Sequence, residues 1–360
     1  MKKTTIILFL VGLLLIGGLW FFQYWNATVE ENTDIVRVGA VISQTGPAAE
    51  NGQNIMRGLE LAKKDLASRG IDVKIDYQDD QTDPKQSISA VASILSVNRP
   101  DFFVGPIWSF LLDASLPAFN NAKIVTYSPC STSEYINTKS DYVFYGYIRN
   151  SLKMKPTQEW LETVGAKNVA VIVSQDSWGN SVEKAYMDAI EQAGGKAVLV
   201  ERVPFGAGKD VTPTILAKVK AAKADAILWT GYDGDAIELI RRMQDNKMHL
   251  PVLGTDTLRL AKTKGQVFIS PEDSFYVFDT PKDAAFGKKF EKEYGVAPSE
   301  CADTAYDGLI LMAEAKMKLK GEKTLDSYLR EKTDYFGYAH TYDFDLNGDI
   351  TGGKWLVSKI

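Results

Sequence analysis

The stretch "IVRVGAVISQTGPAAENGQNIMRGLELAKKDLASRG", residues 35–70, decides the fold class. Its first eight residues, 35–42, form an apolar, β-branched run that reads as a buried strand. A polar loop carrying Gly46-Pro47 follows. In 51–70, Ile55, Leu59, Ala62 and Leu66 then fall on one stripe, the spacing of an amphipathic helix, and Gly70 stops it. Strand, polar loop and helix together make the unit of a parallel sheet covered by helices.

The unit recurs along the chain. Strand Val73–Tyr77 precedes helix Lys85–Val97, which Asp83-Pro84 opens. Strand Phe102–Val104, helix Ser109–Phe119 and strand Ile124–Tyr127 continue the series. A second series follows. Strand "NVAVIVS" (168–174), helix Trp178–Ala193, strand Lys196–Val203 and helix Thr212–Ala222 lead to "DAILWTG" (225–231), helix Asp235–Asp245 and strand Pro251–Gly254. Helices Asp283–Tyr294, Ala302–Leu319 and Leu325–Lys332, then short strands, complete the chain. Two similar α/β series in 360 residues imply two lobes.

Composition removes several classes of function. The net charge of −5 offers no basic face to nucleic acid or to an anionic membrane surface. Two cysteines, Cys130 and Cys301, allow one bond at most, and the sequence does not decide whether it forms. Two histidines argue against a His-rich metal site. "DFDLNGD" (343–349) begins like a calcium loop, but Lys354 stands where the bidentate Glu is needed, so a β-turn at Asn347-Gly348 is the better reading. No phosphate-binding glycine loop is present. "GPIWSFL" (105–111) lacks the second glycine of a nucleophile elbow. No catalytic residue, metal or cofactor is therefore expected.

The N-terminal segment 4–22 is uncharged and long enough to span a bilayer, with Lys2 and Lys3 on the cytoplasmic side. Residues 1–25 read as a retained anchor in preference to a cleaved signal segment, because the apolar core is long and no A-x-A site follows. Residues 26–34 are then a linker.

In a parallel α/β sheet, ligands bind beyond the carboxyl ends of the strands. The loops there hold "GPIWS" (105–109), "SPCSTS" (128–133), "SQDSWGNS" (174–181), "TGYDGD" (230–235) and "GTDT" (254–257). Ser109 and the run Cys130, Ser131, Thr132 sit where helices begin. They could hold a carboxylate with hydroxyls and free backbone amides, or act as ordinary helix caps. Trp178 and Tyr232 could wall a ligand or pack in the core. Asp256 could accept from an ammonium group or cap the helix after it.

Four stretches together resemble a known family: "RVGAVISQTGPAAENGQNIMRGLELA" (37–62), "DDQTDPKQSISAV" (79–91), "SPCSTS" and "AYDGLILMA" (305–313). They are similar to the type I periplasmic substrate-binding proteins of ABC transporters, in the leucine/isoleucine/valine-binding group. The resemblance runs from about Ile35 to the C-terminus. It implies two Rossmann-like lobes joined by three crossovers, near Arg149, Asp279 and Tyr335, with the ligand in the cleft between them. Lobe one would be 35–149 plus 280–335, and lobe two 150–279 plus 336–360. It implies a carboxylate held by Ser109 and by Cys130, Ser131 and Thr132, an ammonium held by Asp256, and Trp178 and Tyr232 closing over the ligand. Asn51 stands where relatives often carry an aromatic, Asp256 where a longer Glu is usual, and Cys130 where an Ala is usual. The implied function is an extracytoplasmic solute receptor for a membrane permease. Its ligand would be a small amino acid, branched-chain or otherwise apolar by preference. A sensor for a signalling partner, or a binder of an amide, urea or aromatic or short carboxylic acid, is the alternative.

Overall fold

The structure is a computed structural model and describes residues 35–263, 274–280, 283–319, 323–332 and 334–360. The expected anchor and linker lie outside these residues. Among the described residues, no helix is long and apolar enough to cross a membrane. The chain divides into Met1–Ile35 and Val36–Ile360, and apart from Ile35, which opens the first strand, every described element belongs to the second unit.

The first sheet runs in the order β2-β1-β3-β4-β5. Its strands are β1 (Ile35–Ile42), β2 (Asp72–Asp79), β3 (Phe102–Val104), β4 (Thr126–Ser128) and β5 (Val143–Tyr145). β1, β3, β4 and β5 pair in parallel. Helices α1 (Ala49–Ser68), α2 (Pro84–Val97), α3 (Ser109–Ala122) and the single turn α4 (Glu134–Asn137) connect them. The predicted helix starts hold to within a few residues. Asp83 caps α2 by accepting from the amides of Lys85 and Gln86, as the Asp-Pro pair implies. Gly105 turns the chain after β3 at φ +87°, and a Cβ there would lie 2.1 Å from the Val41 carbonyl oxygen. Only glycine lets β1 and this turn approach so closely.

The second sheet has the order β13-β10-β9-β8-β6-β7. It comprises β6 (Asn168–Ser174), β7 (Lys196–Val203), β8 (Ala226–Thr230), β9 (Val252–Gly254), β10 (Phe275–Asp279) and β13 (Leu356–Lys359). All its pairings are parallel except β10 with β13. The helices of this lobe are α5 (Met154–Val164), α6 (Ser177–Gln192), α7 (Gly208–Ala221), α8 (Asp233–Asp245) and α9 (Asp256–Thr263). Its apolar side chains Ile172, Ile227, Trp229, Leu239 and Met243 form a core of their own. The sequence pattern does not announce β5 or α5, and β5 has three residues, too few to show a period.

The chain passes from one sheet to the other after β5, returns after β10, and enters the second sheet again at β13. Between the last two crossings, α10 (Ala284–Tyr294), α11 (Ala302–Lys318) and α12 (Leu325–Glu331) join the first lobe. Tyr294 donates to the Arg57 carbonyl, and Tyr127 of β4 donates to the Thr304 carbonyl. One boundary differs from expectation. The expected division puts residues 336–350 in the second lobe, but they pack on the first. The hairpin of β11 (Tyr335–Phe336) and β12 (Thr341–Tyr342) places Tyr342 against Tyr127, and Phe344 lies edge-on to Phe144 at 5.1 Å. Aromatic burial against β4 and β5 holds this stretch back, and only the final strand crosses. The turn at Asn347-Gly348 is present. Phe344 and Ile350 bridge across it, and the Asp345 carboxylate accepts from the amides of Asn347 and Asp349.

Candidate functional site: a cavity between two lobes

Each sheet reverses its strand order once on the side where its loops converge, between β1 and β3 in the first and between β6 and β8 in the second. Such switch points open a crevice at the carboxyl ends of the strands. The two crevices face each other across one cavity of about 250 Å3. Ala48, Trp108 and Ser109 line it from the first lobe, and Trp178 and Tyr232 from the second. The volume lies just below the usual range of ligand pockets, roughly 300 to 1,000 Å3.

Six of the seven residues singled out in the sequence line this cavity: Ser109, Cys130, Thr132, Trp178, Tyr232 and Asp256. Ser131 does not. It is 1% exposed, and its Oγ lies 2.8 Å from Ser128 Oγ, inside the loop. Cys130 is present, but not as a thiol. It forms a disulfide with Cys301, with Cα atoms 5.6 Å apart, and both residues face the cavity. The remaining hydroxyl of the hexapeptide, Ser133, donates across the cleft to the Ser177 carbonyl at 2.8 Å. So "SPCSTS" spends most of its polar groups on the loop itself, on a disulfide and on the facing lobe. One side chain, Thr132, and the neighbouring backbone are left toward the cavity.

Ser109 is the first residue of α3. Trp108 occupies the cap position and makes no capping bond, so the amides of the first turn have no side-chain acceptor. Ser109 Oγ accepts from the Thr132 amide at 3.4 Å, which sets the two residues side by side on the cavity wall. An uncapped helix start beside two hydroxyls suits an anionic oxygen. Asp256 begins α9 on the other side. Next to it, Thr257 donates to the Gly231 carbonyl, tying the β9 loop to the β8 loop that carries Tyr232.

Tyr232 is held in place. Its hydroxyl donates to Asp176 Oδ2 at 2.8 Å, while Oδ1 of the same carboxylate caps α6 at the Gly179 amide. Burial, with Asp176 beside it, pushes the Tyr232 hydroxyl well above its ordinary range. Trp178 lies 5.3 Å from the Tyr232 ring and Phe205 4.7 Å from it. Trp108 and Phe110 of the first lobe meet this same group, with Trp108–Tyr232 at 6.2 Å and Phe110–Phe205 at 5.5 Å. The lobes therefore touch each other through these rings.

Sequence reading missed the floor. Lys153 follows the first crossover, is 2% exposed, and lines the cavity. Its Nζ donates to Asn150 Oδ1 at 2.9 Å and lies 4.2 Å over the Trp355 ring. Burial drives this ammonium down to about 7, although the negative charges of Asp256 and Glu134 oppose the shift. Asn150 Nδ2 in turn donates to the Thr132 carbonyl and to Ser181 Oγ, so one buried amide touches both lobes. Nothing local marks these residues, because the groups that bury them come from distant parts of the chain. Tyr147 and Glu300, joined by a 3.2 Å hydrogen bond, complete the same region.

Comparison with known proteins agrees with this geometry. Residues 35–338 match the family model described as periplasmic binding protein. An uncharacterized protein of Methanocaldococcus jannaschii is 24% identical over 96% of this chain and 91% of its own length. A Leu/Ile/Val-binding protein homolog of Brucella melitensis is 25% identical, over 62% of this chain and 61% of that protein. Among solved structures, the branched-chain amino acid transporter substrate-binding protein LivJ of Streptococcus pneumoniae, in complex with isoleucine, superimposes with a TM-score of 0.76. It shows 20% identity, covering 91% of this chain and 100% of that one. The chain belongs to the periplasmic binding protein family.

Proposed function

We propose that the chain is the extracytoplasmic solute receptor of an ABC importer, that its ligand is a small amino acid, and that it works by lobe closure and not by catalysis. The observation that carries the reading is the single cavity in which neutral donors of one lobe, Ser109 and Thr132, oppose a carboxylate of the other, Asp256. That arrangement is complementary to a zwitterion. The carboxylate meets hydroxyls and the α3 start, and the ammonium meets Asp256. A ligand touching both rims favours the closed form by the amount it binds that form more tightly. Charge-assisted hydrogen bonds contribute roughly 1.5–3 kcal/mol each, enough for a few of them to shift a balance of a few kcal/mol. The names of the matched relatives support amino acids, branched-chain ones included, as the first ligands to test. Anchoring of the receptor through residues 4–22, and docking of the closed form on a permease, belong to the same proposal.

Calorimetry on the full-length chain tests it, with leucine and its deaminated analogue 4-methylpentanoate. Replacing Asp256 with Ala is expected to weaken leucine by about tenfold or more and the analogue by much less, because only leucine carries the ammonium. Equal losses would remove Asp256 from the role given to it.

A further inference from the structure

Lys153 stands at the polar end of the amino acid site described above. It lines the cavity together with Ser109, Thr132 and Asp256, yet it is 2% exposed. Its Nζ donates to Asn150 Oδ1 at 2.9 Å, and Nδ2 of the same amide donates to the Thr132 carbonyl at 2.9 Å. One side-chain amide therefore separates the ammonium from the backbone of Thr132, whose own N–H donates to Ser109 Oγ. The Trp355 and Phe278 rings, at 4.2 and 5.4 Å, flank Nζ as cation–π neighbours. Two carboxylates act on its charge, Asp256 ahead of Glu134. Glu134 is engaged elsewhere, accepting from the Ser151 amide and the Ser181 hydroxyl. Asp256 is the one of the two that lines the cavity. An ammonium has three N–H donors, and Asn150 takes one of them. A buried cation is costly unless an anion completes its shell.

We propose that Lys153 is a further ligand-binding residue, donating to the ligand's α-carboxylate beside Ser109 and Thr132, and that it restricts the site to free α-amino acids. This rests on the amino acid reading above and deepens it. Lys153, the ligand carboxylate, the ligand ammonium and Asp256 then alternate in sign around a ring, so that each charge has an opposite one on both sides. A plain carboxylic acid would set its anion toward Asp256 with no cation between them. An amine, or an amino acid whose carboxylate is blocked, would set a second cation beside Lys153 with no anion between. Sites built to hydrogen-bond a ligand group reject analogues lacking it far more strongly than apolar pockets sort by size.

The test is calorimetry on the full-length chain with the twenty standard amino acids, and then with the amino alcohol of the tightest binder, which keeps the ammonium and replaces the carboxylate with CH2OH. Wild type should bind the amino acid at least tenfold more tightly than its alcohol, and equal affinities overturn the proposal. In Lys153→Met that ratio should fall by tenfold or more. The alcohol's own affinity should be unchanged or raised, because the cation facing its ammonium is gone. A ratio is read because a purely structural loss lowers both affinities together. Lys153→Gln, neutral but still able to bond Asn150, gives the same reading should the first variant not fold. An unchanged ratio overturns this inference and leaves the receptor reading standing, whereas no binding by any of the twenty overturns both.

Discussion

Removing the disulfide should destabilise the protein chiefly through its unfolded state. Cys130 and Cys301 are 171 residues apart in sequence, and their bond joins the loop after β4 to the start of α11. Opening a loop of that length restores chain entropy worth roughly 5 kcal/mol at 25 °C, and measured losses for native disulfides run from about 2 to 5 kcal/mol. The native arrangement has other ties at the same place. Thr304 Oγ1 donates to the Pro129 carbonyl at 2.9 Å, and Tyr127 donates to the Thr304 carbonyl at 2.9 Å. α11 therefore stays docked when the sulfurs are gone. Urea unfolding of Cys130→Ala/Cys301→Ala should show a loss of about 2–5 kcal/mol. The denaturant slope should also increase, because the unlinked chain exposes more surface when unfolded. The comparison needs wild type with its disulfide confirmed by mass. A loss under about 1 kcal/mol, or a slope that falls, would refute the unfolded-state account.

Lys153→Met should also reveal a pH signature in stability. The folded protein holds Lys153 at about 7, below the 10.5 of a free lysine. The unfolded chain therefore binds the extra proton between those values, and wild type gains stability as pH rises through that window. The stability difference in favour of the variant should be largest at pH 7 and below, with a ceiling of roughly 5 kcal/mol, and should shrink toward pH 10. Parallel pH profiles for the two proteins in urea unfolding would count against a charged, buried Lys153. Gly308→Ala should be far costlier than a helical Gly→Ala usually is. Its Cβ would lie 1.9 Å from the Tyr127 ring, which is fully buried and hydrogen-bonded to the same helix. A loss of about 3 kcal/mol is expected in thermal or urea unfolding, and a loss below about 1 kcal/mol would mean that α11 can retreat from β4.

Periodicity alone made the α/β series legible, because the stripes of α1 and the apolar runs of β1, β6 and β8 are local facts about burial. So was the rule that ligands gather beyond strand ends, which put six of seven chosen residues on one cavity. Ser131 escaped that logic. Whether a loop hydroxyl faces inward or outward is set by its partner, here Ser128, and not by its place in the hexapeptide. The same holds for the stretch 336–350, whose lobe was decided by where Tyr342 and Phe344 found aromatic surface.

What the sequence determined by itself was therefore the set of elements, their alternation and the rims of the cleft. Tertiary structure alone decided the floor and the cross-link. Lys153 reads as an ordinary surface lysine until Phe278 and Trp355, more than a hundred residues further on, fold over it. Cys130 and Cys301 become a pair only when α11 docks beside β4 and brings their Cα atoms to 5.6 Å. Local patterns report which face of an element is buried. Which distant residue does the burying depends on contacts that no window of sequence contains.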